Sequence, residues 1–395
     1  MISQRAYPKR PIIQPERCNH VLYTQSSCNG CHSVCPTHAI QIQESSIKIT
    51  NDCNGCEFCV PSCPNDVFST DTGFKEDGNR GEELERVYCT RLLQEEKEIS
   101  GPFPASMIPC LGSITDHFIL DWFIERERPL ELITGICHEC PMKEGLTHFE
   151  ERIQGIIGIF EYLSIDTMPV VTRVGTEEDI QKARHLYTAF KKAQEEALAL
   201  SRRDFFLNFR SHVLPSREKD NKRKRAERKA DTVEVGQTKK LRSLVGLFKK
   251  YQDQLKSGKT VPWFLEIAIN DACNGCGVCA NLCPTEALTL KKSREYADLV
   301  WTLNRCTQCR LCAEVCSKDA VSFGPCNDSK AIINETRRSV KHLYVHRCKE
   351  CRREYISNSP EASCVHCLKE AGVMDDVSKM IYGEAVEEDS FYGTR

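Results

Sequence analysis

No run of 18 apolar residues occurs among these 395 residues, and the best candidate, "WFLEIAI" at 263–269, contains a glutamate. A membrane-spanning helix is therefore not expected. The opening stretch, "MISQRAYPKRPIIQPERC", has neither an apolar h-region nor a small-residue cleavage site, which argues against secretion. Also missing are a nucleophile–base motif, a phosphate loop and a dinucleotide fingerprint, so no substrate chemistry is recognisable. Neither sign of charge is in excess: 54 Lys and Arg face 56 Asp and Glu, and the net charge of −2 names no partner. Hydrophobic residues make up 40%, below the usual globular share, so a single large core is not expected. The length favours two or three domains, or more if some are small.

Cysteine, by contrast, is abundant: 25 residues, most in short clusters. Such density marks either a secreted disulfide framework or a metal protein. Cysteines three residues apart suit a shared metal better than disulfides to distant partners. With no leader, this favours a reducing, cytoplasmic setting, where a partner would hold the protein at any membrane. Residues 18–63 hold eight cysteines, 89–140 four, 141–272 none, 273–316 eight and 348–367 four, with Cys326 left over as a free thiol. Each of those groups is a multiple of a tetrathiolate site.

The letters CNGC occur at 28, 53 and 273. At 53 and 273 they open "CNGCEFCVPSCP" and "CNGCGVCANLCP", each C-x2-C-x2-C-x3-C followed by proline. The blocks 18–63 and 273–316 thus form an internal repeat of two quartets each. The spacing resembles that of bacterial-type ferredoxins with two [4Fe–4S] clusters, over residues 12–70 and 262–325. In such proteins three close cysteines wrap one cubane and the fourth of the run caps the other. Gly55 and Gly275 suit a tight turn around inorganic sulfide, and the following proline fixes φ where the chain leaves. The resemblance implies one cluster on Cys273, Cys276, Cys279 and Cys316, and another on Cys306, Cys309, Cys312 and Cys283. Ser317 stands where proline is usual, which weakens the turn argument but removes no ligand. Zinc sites present separated C-x2-C pairs rather than unbroken runs of four, which favours iron–sulfur in these blocks.

The copy at 28, "CNGCHSVCP", has three cysteines. Cys31-x3-Cys35-Pro36 reproduces the end of the motif, so the run fits as ligands two, three and four. The only upstream cysteine is Cys18, which would make "NHVLYTQSS" an insertion between ligands one and two, tolerable because loop-closure cost grows slowly with length. The implied sets are Cys18, Cys28, Cys31 with Cys63, and Cys53, Cys56, Cys59 with Cys35. The alternative is a bystander Cys18 beside a three-iron cluster.

Residues 84–175 alternate strand-like and helix-like stretches, as expected of a small parallel α/β domain. Cys89, Cys110, Cys137 and Cys140 would converge at the C-terminal ends of its strands, where ligands bind in open parallel sheets. The stretch "PCLGSITDHFIL…ITGICHECPMKEGLTHFEERI" also resembles, weakly, the iron–sulfur delta subunit of methyl-viologen-reducing hydrogenases, which passes electrons to a heterodisulfide reductase. The C-x2-C gap is shorter than that family's, leaving a [2Fe–2S] or a [4Fe–4S] centre open beside buried free cysteines. His138 and His148 stand near enough to ligate or tune it, though solvent-facing roles are the simpler reading.

"RCKECRREYISNSPEASCVHC" places Cys348, Cys351, Cys364 and Cys367 as C-x2-C-x12-C-x2-C, a zinc-ribbon pattern with a rubredoxin-like iron site as alternative. Two features mislead. "SRRDFFLNFR" at 201–210 imitates a twin-arginine signal, but it lies mid-chain before a charged stretch and reads better as an amphipathic helix packing Phe205, Phe206 and Phe209. The basic run 217–229 lacks interleaved aromatics and carries three acids, so a solvated linker is preferred over nucleic-acid binding. Four oxidised cubanes and an S4 zinc site would add about −8 and −2 to the charge, which also disfavours DNA.

The expected fold class is α+β multidomain. Its parts are a ferredoxin-type domain at 12–70, an α/β domain at 84–175, a helical segment with basic linker at 176–260 and a second ferredoxin-type domain at 262–325. A zinc-ribbon-like domain at 340–372 and an acidic tail at 373–395 close it. Thr176 is expected to cap the helix that follows it, with Glu178 in its first turn. The function expected is electron transfer, as a relay subunit or donor for a larger cytoplasmic anaerobic oxidoreductase with a redox protein partner and no catalysis of its own. A maturation factor for a metalloenzyme, an iron–sulfur nucleic-acid binder and a self-sufficient oxidoreductase are the alternatives.

Overall fold

The computed structural model describes residues 10–43, 45–70, 86–93, 103–104, 106–211, 237–256, 258–358, 363–364, 366–368 and 370. The basic run 217–229, the acidic tail and the side chains of Phe205, Phe206 and Phe209 lie outside them. Among the described residues no helix is long and apolar enough to cross a membrane.

The first cysteine block pairs β1 (Ile12–Ile13) antiparallel with β4 (Phe68–Ser69), while β2 (Ile40–Gln43) and β3 (Ser46–Ile49) form a hairpin between them. Ile40, Ile47, Val67 and Phe68 fill its small core together with Cys18, Cys31 and Cys59. Cysteine is thus part of the apolar interior, as its burial preference allows.

Next comes a four-stranded parallel sheet of β5 (Arg86–Cys89), β6 (Met107–Ile108), β7 (Leu130–Thr134) and β8 (Val170–Val174), in the order β6-β5-β7-β8. Both faces are covered, because alternate residues of each strand point opposite ways. Val87, Leu130 and Leu132 meet the helices Asp116–Arg126 and Glu144–Tyr162; Tyr88 and Ile133 meet the start of the helix Glu177–Ser211 through Ala183 and Tyr187. That last helix opens with a capping box. Thr176 Oγ1 accepts from the Asp179 N–H at 3.4 Å and the Asp179 carboxylate accepts from the Thr176 N–H at 2.9 Å. Asp179 completes it, with Glu178 in the first turn as expected; Arg173 holds the Asp179 carboxyl well below the usual range.

The helix Lys239–Lys250 does not stand apart as a linker. Leu241, Leu244, Leu247 and Phe248 enter the same core as the sheet, and Val261, Phe264, Leu303 and Ile332 join from the second cysteine block. Asp116, 5% exposed, is clamped by Arg152 at 2.8 Å and by Lys240 at 2.7 Å, fixing that helix to the α/β domain.

The second block repeats the first: β9 (Leu265–Ile269) pairs with β12 (Val321–Pro325), and β10 (Leu288–Lys292) with β11 (Tyr296–Thr302). Its hairpin continues into β13 (Arg337–Arg347) and β14 (Glu354–Ser357), giving one sheet in the order β10-β11-β13-β14. The sheet therefore runs across the stretch between 325 and 340 where the sequence suggests a break.

Candidate metal centres

Each unbroken cysteine run turns through two left-handed residues: Gly55 and Glu57, Gly275 and Gly277, Gln308 and Arg310. Gly55 and Gly275 both have φ of +70°, as a tight turn around a cluster requires. Gly30 does not. It opens the four-residue helix Gly30–Ser33 with Cys31 at the second position, just as Cys279 and Cys312 sit second in Val278–Asn281 and Leu311–Glu314. The CNGC at 28 is therefore out of step with the other two, as ligands two and three would be. Past each fourth cysteine the pattern is common to all four runs: His38, Asp66, Glu286 and Asp319 have positive φ. The Ala39 and Ala320 N–H groups donate to Cys35 and Cys316 at 3.3 Å.

These turns gather the thiols. Burial pushes Cys31 up to about 12, and the neighbouring Cys28 and Cys18 add to the rise. Cys63 is likewise pushed up to about 12 by burial beside Cys31 and Cys28, against the Val67 and Asn65 N–H groups that lower it. Cys59 is raised by burial, then by Cys56, Cys31, Cys53 and Cys35. Cys18, Cys28 and Cys63 thus neighbour Cys31, and Cys35, Cys53 and Cys56 neighbour Cys59, which in turn adjoins Cys31. In the second block Cys273, Cys276, Cys279 and Cys316 line a single cavity. Cys306, raised well above its usual value by burial, lies beside Cys309, Cys312 and Cys283; Cys312 also faces Cys279.

In the α/β domain, Cys89 ends β5, Cys110 follows β6, and Cys137 and Cys140 bound a short turn after β7. Connections from β5 and β7 leave in opposite directions in this strand order, so the crevice between their C-terminal ends is the topological switch point. All four sulfurs line one cavity there. The Met142 N–H donates to Cys140 at 3.4 Å and its carbonyl faces Cys110 at 3.8 Å. His138 is exposed, whereas His148 is half-buried with its ring edge-on to Phe58 at 6.0 Å.

The C-terminal quartet differs in kind. Among the described residues it is the cysteine quartet whose sulfurs all lie within 4.8 Å of one another, with Cys348–Cys367 and Cys351–Cys364 at 3.8 Å. A tetrahedron with metal–sulfur bonds of ~2.3 Å has edges of ~3.8 Å, so this site fits one ion. The wider quartets fit a body with an iron at each corner, since four irons lie between the thiolates. The Cys364 and Cys351 N–H groups draw Cys348 down to about 6, the donor arrangement of a metal knuckle.

Residues 272–320 match the model of a 4Fe-4S dicluster domain, and residues 25–73 match that of the LdpA Fe-S cluster-binding domain. The chain carries ferredoxin-like iron–sulfur domains. The second match takes in seven of the first block's eight cysteines and leaves Cys18 outside. The chain is 39% identical over 66 residues to an uncharacterized protein of Methanocaldococcus jannaschii, covering 16% of this chain and 15% of that one. It is 39% identical over 57 residues to the pyruvate synthase subunit PorD of the same organism, covering 14% of this chain and 58% of the relative. The chain therefore spans less than two thirds of either relative, 15% of the one and 58% of the other.

Sequence reasoning missed the residues that join the centres. Phe58, fully buried, fits a notch made by Gly112 and Gly145: a Cβ on Gly145 would lie 2.6 Å from Phe58 Cζ and 2.5 Å from Cys110 Sγ. Asn54 Nδ2 reaches Met142 Sδ at 3.7 Å, and Cys56 adjoins Cys110. No periodicity marks these contacts; the glycines at 112 and 145, each beside a cysteine motif, were the available signal.

Proposed function

We propose that the chain is a multi-cluster electron relay, serving as a subunit of, or dedicated donor to, a larger oxidoreductase in a reducing, cytoplasmic setting. The sixteen cysteines of the two blocks would hold four [4Fe–4S] clusters in the sets given above. Cys89, Cys110, Cys137 and Cys140 would hold a fifth, and Cys348, Cys351, Cys364 and Cys367 a structural zinc. Each bound cluster supplies a one-electron couple. The chain's own part is to bury the sulfurs, aim N–H groups at them and set neighbouring quartets against each other. The observation that carries this reading is contiguity: Cys110 adjoins Cys56, Cys59 adjoins Cys31, and Cys312 adjoins Cys279. The likeness to a pyruvate synthase subunit over 57 residues supports an oxidoreductase complex as the partner.

Anaerobic purification with iron, sulfide and zinc counts tests this. The expected result is about 16 irons from the blocks, two to four more from the middle quartet, and one zinc. Cys18→Ala should remove one iron or one cluster; an unchanged count would return Cys18 to a bystander. A colourless preparation with freely titratable thiols would end the relay reading.

A further inference from the structure

Asn65 stands two residues past Cys63. Two sister turns carry threonine at this place, Thr37 after Cys35 and Thr285 after Cys283, with their hydroxyls on their own cysteines at 3.8 and 3.9 Å. Asn65 turns outward instead. Its Oδ1 accepts from Thr307 Oγ1 of the second block at 2.6 Å. Its Nδ2 donates to Asn19 Oδ1 at 2.9 Å and to the Arg17 carbonyl at 3.2 Å. Asn19 Nδ2 in turn donates to the carbonyl of Cys309 at 3.2 Å. Asn19 and Asn65 are 2% exposed and Thr307 5%, so the seam is dry. Buried polar networks of this kind are costly unless every member is matched, and an apolar contact would have joined the blocks as well.

The seam lies between two cysteine sets. Asn65 follows Cys63 by two residues and Thr307 precedes Cys309 by two, and the Asn19 amide reaches the Cys309 carbonyl, so the network spans the gap between the two sets. Ser26 seals the edge by donating to Glu314 at 2.8 Å.

We propose that Asn65 is a positioning residue acting across the block boundary: it joins the Cys18/Cys28/Cys31/Cys63 centre to the Cys283/Cys306/Cys309/Cys312 centre and makes this seam the electron crossing point. The centres then run as one unbranched line, from the middle quartet through the first block, across Asn65, and through the second block to Cys273, Cys276, Cys279 and Cys316.

This rests on the reading that both quartets hold clusters, so the test separates the two. Redox titration of the anaerobic full-length holoprotein, followed by electron paramagnetic resonance, is compared with Asn65→Ala, Thr307→Val and, as a control, Thr37→Ala. Iron and sulfide are counted on every sample. Expected is a weaker magnetic interaction between reduced centres in both Asn65→Ala and Thr307→Val, despite their lying in different blocks. Thr37→Ala, whose hydroxyl stays on Cys35 of its own block, should leave that interaction unchanged. If Asn65→Ala loses iron, Thr307→Val carries the comparison. Fully loaded variants with an unchanged interaction, or a control that weakens it equally, overturn the crossing point. A wild-type chain without iron overturns the cluster reading instead.

Discussion

The hairpins β2–β3 and β10–β11 hold the same place in the two cysteine blocks, but their surroundings differ. β2–β3 ends as a two-stranded ribbon, while β11 is paired on its far side by β13, which carries β14 and the C-terminal quartet. The first block is instead held from the opposite end, by Phe58 in the Gly112–Gly145 notch. The cysteine cradle itself is local, built from turns that recur in every run; what differs is which flank is tied to a neighbour. One block is anchored to another candidate redox site and the other to a site suited to a structural ion.

Removing the ion from the C-terminal quartet should break this contrast most strongly. Metal binding by small tetrathiolate or related sites is worth about 10–16 kcal/mol at neutral pH, far more than a strand as short as β14 contributes. Chelation or Cys348→Ser is expected to abolish hydrogen-exchange protection of residues 348–357. It should also loosen the Cys273 loop, whose carbonyl accepts from Asn358 Nδ2 at 2.6 Å. The first block should be untouched. Equal loss of protection in β2–β3 would mean that the two flanks are not independent.

Much of this was legible beforehand because cysteine spacing is a geometric statement. The C-x2-C-x2-C-x3-C runs, the parallel α/β segment and the gathering of Cys89, Cys110, Cys137 and Cys140 at strand ends all appear as expected from pattern. The joints were not legible. The helix Lys239–Lys250 reads as part of a linker, yet its apolar face completes the α/β core, because an amphipathic stripe says that a face is buried but not against what. Asn65 carries no signal either, since an asparagine after Cys-Pro looks like ordinary turn chemistry until the second block is placed beside it.

The Asp116 clamp is the next test. Burial raises the cost of its charge, but Lys240 and then Arg152 outweigh that and hold its carboxyl below the usual range. Asp116→Asn leaves two cations facing a neutral amide at the joint between the α/β domain and the helix Lys239–Lys250. Breaking a buried pair costs about 3–5 kcal/mol, and the lower end is expected because the Lys240 side chain is 31% exposed. A group whose folded pKa is depressed stabilises above its unfolded value and loses that contribution as pH falls through the folded one. The deficit of Asp116→Asn, measured by thermal denaturation of the anaerobic holoprotein, should therefore be full at neutral pH and shrink on acidification. A deficit independent of pH would assign the effect to packing alone.

The smallest effects bear on the register of the runs themselves, through the three glycines of the CNGC copies. Gly275 has φ of +70° and a Cβ there would lie 2.5 Å from Ile356 Cγ2 on β14. Alanine would carry the left-handed penalty of about 1–2 kcal/mol and also push the knuckle strand away. Gly55 shares the φ of +70°, so Gly55→Ala should cost the backbone term. Gly30 is helical, where alanine is favoured over glycine by up to about 1 kcal/mol, and a Cβ there meets the Ser62 carbonyl oxygen at 3.1 Å, which offsets the gain. The expected order of destabilisation, read from the rate of iron release to a chelator, is Gly275→Ala, then Gly55→Ala, with Gly30→Ala near wild type. That order follows only if the letters CNGC at 28 do a different job from the same letters at 53 and 273. A Gly30→Ala chain that released iron as fast as Gly275→Ala would put Cys28 back at the start of a run and leave Cys18 without a role.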